Sequence, residues 1–211
     1  MPIPADAGGK QQRADAICPY PDDHVADLKK RTADIPEQRR PSVYLGGVAY
    51  AGPHGFQSTE PTYPPFRFVG ARNLADNANP QTGEITGTDI AKEKIVEWNP
   101  DVLFLDLSTL QFGDQAGGLH ELRTDPAYQT LAAVKNGKVY GVLPYNSYNQ
   151  NFESIFADAY FIGKLLYPER FTDIDPVATA DQIYTFMVGT PVFAAMNAQF
   201  QGLAFRAIPL R

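Results

Sequence analysis

Three apolar runs, SVYLGGVAY (42–50), DVLFLDL (101–107) and VYGVL (139–143), do most to constrain how this chain can fold. None alternates apolar with polar residues, so each reads as a strand buried on both faces rather than one washed by water on one side. The segments between them have helical spacing instead. Ala91, Ile95 and Trp98 share one stripe before the breaker Asn99-Pro100. Phe152, Ile155, Phe156, Ala159, Ile162, Gly163 and Leu166 share another before Tyr167-Pro168. Buried strands alternating with helices specify a parallel sheet covered on both sides. The expected fold is therefore α/β, a three-layer sandwich with a mostly parallel central sheet. Residues 66–74 are open as a short helix or a further strand.

The remaining elements follow from capping and punctuation. Asp22 or Asp23 can cap a helix over residues 24–33 with Val25, Leu28 and Thr32 on one face. Thr88 or Asp89 can cap the helix that carries Ile95. Thr124-Asp125-Pro126 opens a short helix over 127–134, and Asn151 is the cap of the long helix to Leu166. Asp175-Pro176 caps a helix with Ala180, Tyr184 and Met187 inward, and Thr190-Pro191 opens a last one ending at Phe200. Residues 1–20 show no periodicity and read as a loose tail.

Several function classes are excluded. A net charge of −6, with Lys and Arg interleaved among acids in LKKR (28–31) and EQRR (37–40), does not make a nucleic-acid surface. Cys18 is the only cysteine, so neither an internal disulfide nor a Cys-x-x-Cys metal cluster can form. No run approaches membrane-spanning length, and the first residues hold no apolar signal core. Neither G-x-G-x-x-G nor G-x-x-x-x-G-K-[ST] fits, none of the five serines sits in G-x-S-x-G, and His24, His54 and His120 form no H-E-x-x-H. No catalytic residue and no resident metal or cofactor is expected.

Three loops are more informative. In a parallel α/β sheet, ligands collect beyond the carboxyl ends of the strands. Residues 50–66, 108–115 and 145–151 all leave that edge, and they offer rings and amides with few charges. Such a mixture suits an amphiphilic organic ligand held by stacking and hydrogen bonds. The residues expected at that ligand are Tyr50, His54, Phe56, Phe112, Tyr145 and Tyr148. By position alone, Glu153 is an ordinary first-turn carboxylate favoured by the helix dipole.

The order WNPDVLFLD (98–106), LRTDPAYQTLAAVKNGKVYGVLP (122–144) and NFESIFADAYFIGKLLYPE (151–169) resembles the carboxyl-terminal half of the solute-binding proteins of ABC importers for iron-siderophores, haem and cobalamin. The resemblance covers about residues 23–189. It implies one lobe of a class III periplasmic-binding-protein fold, with residues 1–22 a flexible tail, 23–40 the remnant of the helix that links two lobes, and 41–211 the carboxyl-terminal lobe, the amino-terminal lobe being absent. It implies an extracytoplasmic protein that performs no chemistry. Its partners would be an iron chelate or a corrinoid- or haem-type small molecule, and an ABC permease. It also moves Glu153 to the place of the family's permease-docking glutamate, where a charge-assisted Glu–Arg pair suits reversible docking. Two alternatives stay open. One is a homodimer through the exposed lobe face. The other is a degenerate chelatase-like domain that acts on or senses a tetrapyrrole through His54 or His120.

Overall fold

The computed structural model describes residues 11–49, 52–78, 88–146 and 150–210. The three apolar runs form strands β1 (Ser42–Gly46), β5 (Val102–Asp106) and β6 (Val139–Val142). A two-residue strand, β3 (Arg72–Asn73), completes a four-stranded sheet in the order β3-β1-β5-β6, and every pairing in it is parallel. Residues 66–74 thus divide between the end of α3 (Pro64–Val69) and β3, separated by Gly70 in a left-handed conformation (φ 60°). Two further short strands, β2 (Ser58–Thr59) and β4 (Thr88–Asp89), pair antiparallel outside the main sheet.

Successive strand residues feed opposite cores, which is why the runs do not alternate in the sequence. Val43, Leu45, Val102, Phe104 and Val142 face one core, shared with Leu28, Phe66, Ile155, Phe156 and Ile162. Tyr44, Leu103, Leu105 and Val139 face the other, shared with Phe56, Ile95, Leu122 and Tyr128. Helices α2 (Tyr20–Thr32), α3 and α7 (Phe152–Leu166) cover the first face, while α4 (Lys92–Trp98), α5 (Gly117–Thr124) and α6 (Ala132–Lys135) cover the second. Helix α8 (Pro176–Val188) packs along α7, and α9 (Phe193–Gln199) follows it. The three-layer α/β sandwich with a parallel sheet is the architecture that the sequence implies.

Local differences have local causes. Helix α1 (Gln11–Ile17) and the start of α2 at Tyr20 occupy part of the stretch read as a loose tail. Tertiary contacts fix them: Tyr20 stacks on Phe186 at 3.8 Å, and the Arg13 guanidinium lies 4.6 Å from the same ring. Thr88 and Asp89 are not a cap, because they are engaged in β4; α4 begins at Lys92 with no side-chain cap. The helix expected over 127–134 splits into a 3₁₀ turn (Tyr128–Thr130) and α6. Asp175 is the cap expected of it, its Oδ1 accepting from the Val177 and Ala178 amides at 3.0 Å. Asn151 occupies the cap position of α7 but makes no capping bond with its side chain, and Phe152, expected in the core, is 48% exposed. Beyond α9 the chain turns back along β6, where the Phe205 amide donates to the Gly141 carbonyl (3.0 Å) and the Ile208 amide to the Val139 carbonyl (2.8 Å).

Candidate functional site

The carboxyl ends of β1, β5 and β6 open onto the three segments singled out in the sequence. The segment after β1 is held down closely. Gly46 has no side chain because Phe56 lies on it: a Cβ there would sit 2.5 Å from the Phe56 carbonyl oxygen. The Tyr44 hydroxyl donates to the Gln57 carbonyl (2.9 Å), the Ser58 hydroxyl to the Val48 carbonyl (2.7 Å), and the Phe56 amide to Glu121 Oε2 (2.9 Å). Thr109, from the loop after β5, ties two segments together. Its hydroxyl donates to the His54 carbonyl at 2.8 Å and accepts from the Gly118 amide at 2.7 Å.

The sequence-predicted residues divide accordingly. His54 is half-buried on the edge, and Phe112, in the 3₁₀ segment Leu107–Gln115, is 44% exposed. Phe56 and Tyr145 are corrected. Phe56 is wholly buried, edge-on to Tyr44 (5.5 Å) and Tyr128 (5.1 Å), and Tyr145 is 1% exposed with its hydroxyl on Glu60. Both rings hold loops in place and present no surface to a ligand. Tyr50 and Tyr148 lie outside the described residues. Glu153 is half-buried in the first turn of α7, and its carboxylate makes no hydrogen bond or ion pair among the described residues.

Sequence reasoning missed the acidic lining of this edge. Glu60, Asp106 and Asp158 are all buried. Asp106 ends β5 and accepts from the Ser108 amide (2.8 Å). Asp158, on α7, accepts from the Leu143 amide (2.9 Å) and the Tyr63 hydroxyl (3.0 Å). Loss of water around them raises all three: Glu60 to about 7, Asp106 to about 6, and Asp158 well above the usual carboxylate range. The signal was present as an Asp in the middle of the apolar stripe FESIFADAYFIG and another at the end of an apolar strand. Among the described residues no group of three His, Cys, Asp or Glu side chains is placed to hold a metal ion.

A family model described as periplasmic binding protein matches residues 5–145, well over half of the chain. The chain belongs to that family. Comparison with curated proteins yields no match. Among solved structures it resembles the Haemophilus influenzae molybdate periplasmic binding protein MolA (TM-score 0.64, 20% identity, 86% of this chain and 52% of that one). It resembles equally the TroA-like periplasmic binding protein FepB of Veillonella parvula (TM-score 0.64, 24% identity, 84% and 53%). A third is Helicobacter pylori CeuE with Ni(II) bound (TM-score 0.54, 18% identity, 92% and 56%). At these identities the likeness establishes the fold, one lobe of the class III type, and the chain spans about half the length of these structures. The match begins at residue 5, so it takes in much of the stretch that the sequence resemblance left out. No helix among the described residues is long and apolar enough to cross a membrane.

Proposed function

We propose that this chain is the carboxyl-terminal lobe of an extracytoplasmic solute-binding protein that performs no chemistry. It would bind an iron chelate or related metal-organic ligand (siderophore, haem or cobalamin) at the carboxyl edge of its sheet and deliver it to an ABC permease. One observation carries the reading: in a chain of this family, a single sheet edge presents the fastened His54 loop, exposed Phe112 and the Glu153-bearing start of α7. His54 and Phe112 are the ligand contacts among the described residues, joined by Tyr50 and Tyr148, and Glu153 is the permease-docking group. Neighbouring structures on this fold hold molybdate and Ni(II), and a Vibrio cholerae neighbour is described as a haem-binding protein, so metal-containing cargo suits the scaffold. The tetrapyrrole-acting alternative has no observation in its favour, since His120 Nδ1 is engaged 3.0 Å from the Asp114 carbonyl oxygen. Nor does any observation favour the homodimer.

Calorimetric titration of the purified chain with a ferric siderophore, haemin and cobalamin tests the binding half. Saturable binding of one of them, weakened by Phe112→Ala, is expected; heats of dilution alone, up to high micromolar concentration, would sink it. For docking, Glu153→Ala should lower affinity for the cognate permease in nanodiscs about tenfold while leaving the fold intact. An unchanged affinity removes Glu153 from that role.

A further inference from the structure

The three buried carboxylates play no part in the binding reading, yet the hydrogen bonds of two of them, Glu60 and Asp158, join the parts of the chain that form the binding edge. Tyr63, in the segment after β2, reaches across to Asp158 on α7. Tyr145, leaving β6, reaches back to Glu60 in the segment after β2. The two rings pack 5.9 Å apart, so the contacts form a crossed pair. Each ties the segment after β2 to the entrance or body of α7, the helix that carries Glu153.

Both acceptors are dry: Glu60 is 1% exposed and Asp158 fully buried. The second Glu60 oxygen, Oε1, is buried with no hydrogen-bond partner among the described residues. The groups facing the pair from neighbouring elements are mostly acidic or neutral. Asp106 at the end of β5 lies within electrostatic reach of both carboxyls, and Tyr184 of α8 faces Asp158. Among the described residues the cation facing Glu60 is Arg67 of α3, itself 55% exposed and paired with Asp76 at 3.3 Å. A charge on Glu60 would therefore be buried with weak compensation and would repel a second charge at Asp106.

We propose that Glu60–Tyr145 and Tyr63–Asp158 form a proton-dependent latch: with both carboxyls neutral they fasten the segment after β2 to α7, and loss of the Glu60 proton releases Tyr145 and the entrance of that helix. Burial pushes the Glu60 carboxyl up to about 7, so the latch would work near neutrality. The Tyr145 hydroxyl by itself favours the charged form. Release follows because an ionised Glu60 would sit 1% exposed, with Oε1 unpartnered among the described residues and Asp106 near it, and regains water only when the segment opens. The proposal concerns the fold of this edge and holds whatever the cargo is.

Hydrogen exchange of the purified chain between pH 5 and 8, corrected for intrinsic chemistry, reads the latch at two amides. Leu143 donates to Asp158 (2.9 Å), and Asn151 donates to the Tyr145 carbonyl (2.8 Å). Their opening should increase about tenfold or more over that range. Glu60→Gln should cut the increase sharply, Glu60→Gln with Asp158→Asn should abolish it, and Tyr145→Phe should leave Asn151 open throughout. Protection that rises with pH, or the same slope in Glu60→Gln, overturns the proposal. Should the variants fail to fold, infrared spectra of the native chain decide the matter. A carboxylic-acid carbonyl band at pH 6 that fades towards pH 8 supports the latch, and its absence at pH 6 refutes it.

Discussion

Replacing Gly163 by alanine puts a methyl group on α7 where the ring of Phe171 already lies. The added Cβ would stand 2.3 Å from Cζ, 2.6 Å from Cε1 and 2.9 Å from Cε2 of that ring, against about 3.5–4 Å for an ordinary carbon contact. The ring must retreat by about 1 Å, and it has nowhere open to go. Phe171 is fully buried in the core under α7, with the Arg31 guanidinium 5.2 Å from its centroid. Overpacking of this kind costs about 1–3 kcal/mol. Alanine in a helix interior returns up to about 1 kcal/mol, so Gly163→Ala alone should be destabilising by about 0–2 kcal/mol. Phe171→Ala alone should cost about 3–5 kcal/mol by leaving a cavity. With the ring gone, the clash disappears while the helix preference remains, so Gly163→Ala in the Phe171→Ala background should stabilise by about 1 kcal/mol. Urea unfolding followed by circular dichroism on the four proteins gives the cycle, with a coupling of about 1–3 kcal/mol. An equal effect of Gly163→Ala in the two backgrounds refutes the assignment of this glycine to ring packing.

Thr109→Val keeps the shape but removes the hydroxyl between the His54 carbonyl and the Gly118 amide; it should cost about 1–3 kcal/mol and increase exchange of the Gly118 amide by mass-spectrometric hydrogen exchange. Asp175→Ala removes the cap of α8 and should lower stability by about 1 kcal/mol in urea unfolding. Global stability should also fall as pH rises. The folded chain keeps the Glu60 proton up to about pH 7 while the unfolded chain releases it near 4.5, so between those values the native state binds more protons and loses roughly 3 kcal/mol. Urea midpoints measured at intervals from pH 4.5 to 7.5 test this, and Glu60→Gln should reduce the slope while Asp106 and Asp158, also raised by burial, keep the remainder.

The layers were legible because burial on both faces of a parallel sheet writes itself as unbroken apolar runs, and β1, β5 and β6 fall inside the three runs. The short β3 was ambiguous because two residues cannot display a period, and Thr88-Asp89 looked like a cap because the same residue types serve turns and edge pairings. At the site, the loops could be placed from topology, but which rings face outward could not. Phe56 and Tyr145 carry the same aromatic signal as Phe112 and differ only in what folds over them: Tyr44 and Tyr128 against one, Glu60 and Tyr63 against the other. The buried carboxylates escaped notice for a related reason. Their partners, Tyr145 for Glu60 and Tyr63 for Asp158, lie 85 and 95 residues away, beyond any local pattern.

The two outer strands of the sheet differ in a way that bears on how freely this lobe can change. On one side β3 is only two residues long and offers little backbone to a stranger. On the other, the returning chain occupies β6, with isolated bridges at Tyr140–Ala207 and Gly141–Ala204. A side chain at Gly141 would strike the Leu203 carbonyl oxygen at 2.3 Å, so that seal depends on glycine. Both guards stand at the flanks of the sheet, away from the edge where its loops gather. Loops at that edge can be lengthened, shortened or rewritten without unmasking an open strand, whereas deleting the residues after Leu203 would expose β6 and invite edge-to-edge aggregation.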